Sequence, residues 1–389
     1  VERSDRFIRS ISLDFKRDLI NHIKWDWKLI SLIGARGVGK TTLLLQKAKE
    51  ETVKSIYISL DDIYFSANKL IDFADAFYKT GGKKLFIDEV HKYPGWAREI
   101  KNLYDFYPDL NIVFTGSSII ELLKQDVDLS RRALLYELNG LSYREYLQLQ
   151  GIASFHIFSL DEVLAKHVDL ANEITTKIHP LEYFSSYLTH GYYPYFLEGT
   201  SFYADRLSQV IQLVIESDLD FIPGYDPRNA RKILQLFYIL ATNVPFKPNI
   251  SSLSEKIGVH RNTLIQYLHH LEKARLINSL YPAGISVSTL QKPEKIFLQN
   301  TNIAFALSKD VNKGSLRETF FLNQVKAKHF VSLPKSGDFF IDDKYTIEVG
   351  GAKKSIAQIK QIEHAYIAAD NIEIGNQNKI PLWLFGFLY

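Results

Sequence analysis

In the first 150 residues, short apolar runs alternate with stretches of helical period. The runs are Leu29, Ile30, Leu32 and Ile33, then residues 53–60 (VKSIYISL), then Leu85, Phe86 and Ile87, and then residues 110–118 (LNIVFTGSS). Runs this short, bounded by polar turns, predict buried strands. Between them lie a leucine-rich stretch after Thr41, the segment IDFADAFYKT ended by Gly81 and Gly82, and WAREIKNLYDFYP. The last of these places Trp96, Ile100, Leu103 and Tyr104 on one helical face. Strand and helix in strict alternation predict a parallel, doubly wound sheet.

Beyond residue 150 the pattern changes. Residues 156–240 read as helical and aromatic, with Tyr183, Phe184, Tyr187, Tyr192, Tyr193, Tyr195 and Phe196 gathered around Gly191 and Pro194. Such a set either stacks bases or packs helices together. In residues 250–281, Leu253 and Ile257 mark one short helix, Gly258 the turn, and Leu264, Tyr267, Leu268 and Leu271 the inner face of the next. That is helix-turn-helix grammar, and LINSLYP followed by KIFLQN suggests the two strands of a wing. His260, Arg261, Asn262 and Gln266 then fall on the outward face, where base edges are read. GSLRETFFLNQVKAKH predicts an amphipathic helix carrying Glu318. After it the text reads strand, turn at Asp342 and Asp343, strand, loop and helix through residue 370, and IPLWLFGFLY closes as a buried strand.

A length of 389 residues is too great for one core and implies two to four domains. The net charge of +3 makes no case for nucleic acid at the level of the whole chain, so any such case is local. Residues 251–275 carry Lys256, Arg261, Lys273 and Arg275 against Glu255 and Glu272, a small surplus for a phosphate-backbone binder. With no cysteine there is neither a disulfide framework nor a thiolate metal site. No apolar run approaches the length that spans a bilayer, and no signal peptide opens the sequence, so a cytoplasmic location is expected.

The chemistry concentrates at residues 34–41, Gly34-Ala35-Arg36-Gly37-Val38-Gly39-Lys40-Thr41, followed by Thr42. This is G-x-x-x-x-G-K-[ST] set between a strand and a helix, the context in which the pattern implies phosphate binding. The glycines let successive N–H groups converge on one anion, and the helix dipole adds to their field. Lys40 would reach the β- and γ-phosphates, and Thr41 would ligate Mg²⁺. Asp88 and Glu89 end the third apolar run, where ligands of open α/β sheets bind. Asp88 is the second candidate for holding Mg²⁺, and Glu89 the candidate base for an attacking water. Ser117 or Ser118 either contacts the γ-phosphate or caps the next helix. Arg131 and Arg132 are either transition-state cations or members of a structural ion pair.

GARGVGKTT, LFIDEVHKYPGW, FTGSS, DLSRRA and GLSYREYL together resemble the prokaryotic AAA-type ATPases that carry a C-terminal domain of unknown function 4143. The resemblance implies a P-loop ATPase core on residues 1–150, a helical lid or linker region on 151–235, a winged helix on 236–300 and a nuclease-like end on 301–389. The fold class expected is therefore α/β multidomain: a P-loop NTPase parallel sheet, a helical linker, a winged helix and a small α/β restriction-endonuclease-like domain. Glu318, Asp338 and Glu348 resemble the acids of restriction-endonuclease-like folds, where a lysine two residues past the last acid steers the nucleophilic water. Here that position is Gly350, with Lys353 as a substitute from the GGAKK loop and Gln358 as an assistant, so an inactive domain is expected. The cofactors implied are ATP and Mg²⁺, and the partners are DNA through the winged helix or a protein, with an oligomer as a further expectation. The alternatives are an ATP-gated nuclease and a nucleotide-binding interaction protein without turnover.

Overall fold

The computed structural model of the chain describes residues 2–117, 129, 131–221, 225–284, 292–308 and 310–389. Two units emerge, one of residues 1–140 with 218–225 and one of residues 141–217 with 226–389. Residues 141–150 group with the second unit. The physical cause lies in the helix Tyr143–Leu149, whose side chains are buried among aromatic partners of that unit.

The first unit begins with helices α1 (Glu2–Ser10) and α2 (Leu19–His22). It continues through β1 (Leu29–Gly34), α3 (Lys40–Glu50), β2 (Ser55–Ser59), α4 (Leu70–Lys79), β3 (Lys84–Asp88), α5 (Trp96–Phe106), β4 (Asn111–Ser117) and β5 (Leu134–Glu137). The five strands pair in the order β2-β3-β4-β1-β5, every pairing parallel. All residues of β1 and β3 are buried, as strands covered on both faces require. Edge strand β2 alternates instead. One core cluster joins Ile33, Ile58, Leu85, Ile87 and Phe114 of the strands to Trp96, Ile100 and Leu103 of α5. Parallel strands bring the C-terminal ends of β1, β3 and β4 to one edge, with β4 between the other two.

The second unit starts with α6 (Tyr143–Leu149), α7 (Leu160–Thr175), α8 (Pro180–His190) and α9 (Tyr203–Leu213). Ser142 and Glu145 form a capping box on α6, as Ser159 and Glu162 do on α7. Tyr143 packs against Phe184, Tyr187 and Phe387, while buried Arg144 donates to the carbonyls of Phe155 and Tyr389. Phe184, Tyr187, Tyr192, Tyr193 and Phe196 are buried in helix packing, while Tyr183 and Tyr195 of the same set are half-buried.

Next come α10 (Ala230–Ala241), α11 (Ile250–Ile257), α12 (Arg261–Lys273) and the antiparallel pair β6 (Ile277–Leu280) and β7 (Lys295–Leu298). Gly258 takes the left-handed conformation that ends α11. Leu253, Ile257, Leu264, Tyr267, Leu268 and Leu271 are buried, whereas Arg261, Asn262 and Gln266 are exposed. His260 is exposed as well, and its side chain accepts the Asn262 N–H at 3.4 Å as the cap of α12.

After α13 (Thr301–Leu307) and α14 (Lys313–Lys326), five strands form a mixed sheet: β8 (Val331–Ser332), β9 (Phe339–Ile341), β10 (Tyr345–Gly351), β11 (Ala365–Asp370) and β12 (Lys379–Pro381). The order is β12-β11-β10-β9-β8, parallel from β10 to β12 and antiparallel at β9 and β8. Two expectations fail here. The helix expected after the GGAKK loop is only a single 3₁₀ turn, Ile356–Gln358, because Ala365, Ile367, Ala368 and Ala369 are buried as strand β11 between β10 and β12. Leu382–Phe387 near the end is 3₁₀ rather than strand: Gly386 lies so close to Tyr143 that a Cβ would come within 2.5 Å of it. Ser142 Oγ and Arg144 hold the Tyr389 carbonyl at its end.

Candidate nucleotide site

The loop between β1 and α3 turns through Gly37 (φ 85°) and Gly39 (φ 100°), conformations that side-chain-bearing residues rarely adopt. Val38 plugs it into the core, fully buried. Arg17, remote in sequence, clamps it from outside, donating to Val38 O at 3.0 Å and to Asn139 O and Gly140 O at 2.8 Å each. Lys40 heads α3 and folds back over the loop, donating from Nζ to Gly34 O at 2.9 Å and Ala35 O at 3.0 Å. Burial pulls its ammonium below the ordinary lysine range, opposed by the fields of Glu89, Asp88 and Asp218. Thr41 and Thr42 are exposed on the first turn of α3.

At the end of β3, Asp88 is 2% exposed and fully engaged. Oδ2 accepts from Thr41 Oγ1 at 2.6 Å and from the Tyr57 hydroxyl at 2.9 Å. Oδ1 accepts from Thr115 Oγ1 and from the Glu89 N–H. The Tyr57 hydroxyl is driven far above its usual pKa by burial and by Asp88, so it stays a donor. Glu89 sits in the left-handed region (φ 53°), which turns its side chain off the strand direction. Burial raises its carboxyl pKa, with Lys40 opposing the shift. His91 Nδ1 accepts the Ser117 N–H at 3.5 Å, which puts the ring proton on Nε2, 3.3 Å from Glu89 Oε2. Burial first, then Lys92, Lys40 and Arg36, hold this imidazole down to about 3, so it is neutral at physiological pH. The Ser117 hydroxyl is buried with no hydrogen-bond partner among the described residues, at the end of the strand between β1 and β3. Ser118 lies outside the described residues.

Thr41 and Asp88 are hard oxygen donors in contact, the kind of pair that carries Mg²⁺ when phosphates and water supply the remaining ligands. Among the described residues no group of three or more His, Cys, Asp or Glu forms a metal cage.

Arg131 and Arg132 are not brought to this site. β5 runs parallel to β1 with Leu134 opposite Ile30, so residues just before it lie at the edge of the sheet away from the phosphate loop. Arg132 pairs there with Asp105 at 3.2 Å and lies over the Tyr104 ring, and its carbonyl accepts from Trp27. Exposed Arg131 shares that edge. Sequence reading missed Arg17, Tyr57, His91, Thr115 and Asp218. His91 and Thr115 sit within recognised motifs, where an inward polar side chain next to the acidic pair was a usable signal. Nothing local marks the other three.

A parallel sheet with a glycine loop after its β1, an acidic pair at the end of β3 and the polar end of β4 between them defines a P-loop ATPase domain of the AAA type. Residues 26–147 match the family model described as AAA domain, and residues 181–313 match a domain of unknown function, DUF8612. The C-terminal match is therefore to a different domain from the expected 4143. The chain is 30% identical over 401 residues to the uncharacterized protein MJ1637 of Methanocaldococcus jannaschii, covering 94% of this chain and 84% of that one, and it belongs to the same family. Among solved structures, the Walker-type ATPase PABY2304 of Pyrococcus abyssi gives a TM-score of 0.43 at 16% identity, over 75% of this chain and 95% of that one. A STAND protein with a tetratricopeptide repeat sensor, PH0952 of Pyrococcus horikoshii, gives 0.30 at 16% identity, over 81% of this chain and 45% of that one. Likenesses of that size carry no argument about function. Among the described residues no helix is long and apolar enough to cross a membrane.

Proposed function

We propose that this chain binds ATP with Mg²⁺ and hydrolyses it, using nucleotide state to position its second unit on a partner. One observation carries the reading: Thr41, next to the Lys40 that folds back over the loop, meets Asp88 of β3, Thr41 Oγ1 and Asp88 Oδ2 being 2.6 Å apart, with Glu89 directly after. Loop amides and Lys40 would grip the phosphates, Thr41 and Asp88 would hold Mg²⁺, and Glu89 would orient water and take its proton. Mg²⁺, when bound, neutralises charge on the β- and γ-oxygens. The neutral His91, with Nε2 3.3 Å from Glu89 Oε2, adds no positive charge beside that carboxylate, and the Ser117 hydroxyl has a free hydrogen bond to offer the γ-phosphate or the water. The adenine preference rests on family membership alone.

Phosphate release tests this directly. Lys40→Ala should lower turnover by about 100-fold or more, removing charge stabilisation worth roughly 3 kcal/mol. Glu89→Gln should keep ATP binding and lose turnover. Unchanged release from a clean Lys40→Ala preparation would sink the assignment, and binding without any release in the wild type would favour an interaction protein. If Arg131 has a catalytic part, it acts on a neighbouring copy, because its own loop is at the other edge of the sheet.

The helices α10 to α12 with the β6–β7 pair support a winged-helix reading, with Arg261, Asn262 and Gln266 facing outward toward DNA. The C-terminal sheet supports a restriction-endonuclease-like reading in an inactive form. Lys354, rather than Lys353, pairs with Glu348 at 2.5 Å, and Lys295 pairs with Glu318 at 2.6 Å, so two of the three acids are neutralised internally. Asp338 Oδ2 accepts the Val349 N–H. A second reading, ATP-gated cleavage, draws on Glu348 Oε2, which is buried without a hydrogen-bond partner beside that lysine. It predicts Mg²⁺- or Mn²⁺-dependent cutting lost in Glu348→Ala. Absence of cutting in every nucleotide state removes it.

A further inference from the structure

The phosphate end of the site holds one carboxylate that the hydrolysis scheme does not use. Asp218 comes from far along the chain, which re-enters the first unit at this residue after residues 141–217 of the second. Its side chain is almost wholly buried. Arg36 Nη1 lies 3.3 Å from its Oδ1 and 3.4 Å from its Oδ2, and Lys92 Nζ lies 3.9 Å from Oδ1. Arg36 belongs to the phosphate loop itself, and Lys92 follows the acidic pair. The negative charge of Asp218 acts on Lys40 and on Glu89. It therefore lies toward the side where the lysine takes the terminal phosphates and the base takes its water.

An anion buried this deeply is costly unless paired, and here its pairs are cations next to where phosphate would sit. Burial raises the Asp218 carboxyl pKa, and Arg36 and Lys92 oppose the shift, so its charge depends on those two partners. The stretch that delivers it, Val214–Asp218, is π-helical, a geometry rare in proteins and concentrated at functional sites.

We propose that Asp218 is the residue by which the site tells a triphosphate from a diphosphate. Its carboxylate holds Arg36 and Lys92, and a γ-phosphate must displace it to draw on them, whereas a diphosphate ends short of the contest. Displacement moves the segment that carries Asp218, which is also a covalent link into the second unit, and so converts the presence of the third phosphate into strain on that link. This rests on the ATP reading above.

The test compares dissociation constants for Mg²⁺–ADP and for Mg²⁺ with the β,γ-imido analogue of ATP, by calorimetry at fixed salt. Asp218→Asn removes the charge and keeps the shape. It should tighten the triphosphate about tenfold, the size of a partly screened charge repulsion at such range, and leave ADP within about twofold. Asp218→Glu should keep the wild-type ratio. Equal tightening of both nucleotides, no change, or a weaker triphosphate overturns the proposal. Asp218→Ser repeats the comparison should the asparagine variant fail to fold. Hydrogen exchange on the wild type needs no variant: amides of residues 214–221 should exchange faster with the triphosphate than with ADP, and equal rates overturn the proposal. A wild type that binds neither nucleotide overturns both this inference and the ATP reading. One that binds both, with an unaltered ratio in Asp218→Asn, overturns this inference alone.

Discussion

Arg17 has no motif around it, yet its guanidinium spans the phosphate loop and the end of β5 through three carbonyls. Arg17→Ala would leave buried acceptors at Val38 and Gly140 without that donor, at about 1–3 kcal/mol. The expected result is a lower melting temperature together with weaker ADP binding, since loop amides converge only if Val38 stays fixed. Arg17→Lys should recover little, because an ammonium cannot fork across three oxygens. Unchanged melting and unchanged affinity in Arg17→Ala would refute the clamp. Gly34 makes a complementary case. A Cβ there would lie 2.4 Å from the Leu138 carbonyl oxygen, so Gly34→Ala must push β1 away from the chain after β5. A loss of roughly 1–3 kcal/mol in unfolding free energy is expected. The two residues also mark what the sequence reveals. Gly34, Lys40 and Thr41 were legible because neighbours along the chain set their geometry. Arg17, Tyr57 and Asp218 act on groups supplied by distant segments, and no local pattern records such meetings.

At the scale of elements, period and burial were readable wherever one face meets one core. β1 to β4, α4 and α5 lie where the apolar runs place them, and α11 and α12 follow their leucine spacing. The reading failed where tertiary contacts override local preference, as in β11, whose alanines suit a helix but are buried between two strands. Register decided the fate of Arg131: a guanidinium seven positions before Leu138 in the sequence becomes remote from the loop once β5 is laid parallel to β1. Helix α12 carries a consequence for pH. Burial, then His269, lowers the His270 pKa to about 4. The unfolded chain, with an ordinary histidine near 6.5, then binds more protons than the folded one between those values. Stability is full above about pH 6.5 and declines as pH falls toward 4, by about 2 kcal/mol at pH 5 from this residue. Urea unfolding at pH 7.5 and pH 5 should show a smaller acid loss in His270→Gln than in the wild type. Equal losses would mean that the ring is not protected from protonation.

At the scale of the whole molecule, the chain passes between its two units at residues 140–141, 217–218 and 225–226. An AAA-type P-loop unit joined to a second unit at three points of the chain suits the device proposed above, whose output would be a change of binding rather than a product. The outward face of α12 is the surface on which that output is most directly read if the partner is DNA. Its charge is modest, with Arg261 of α12 and Lys256 of the preceding helix as exposed cations, so few phosphates can be neutralised. For two phosphate contacts, affinity for a duplex should fall only about tenfold between 50 and 200 mM salt. Arg261→Ala should weaken binding and flatten the dependence by close to one counterion, while Gln266→Ala, if Gln266 reads a base, should reduce discrimination between sequences and leave the salt slope alone. Fluorescence anisotropy in ATP analogue, in ADP and without nucleotide supplies the decisive comparison. A several-fold difference among the three states, abolished by Lys40→Ala, would tie the second unit to the phosphate loop. Affinity that ignores salt, Arg261 and nucleotide alike would assign α12 to packing and direct the search to a protein partner.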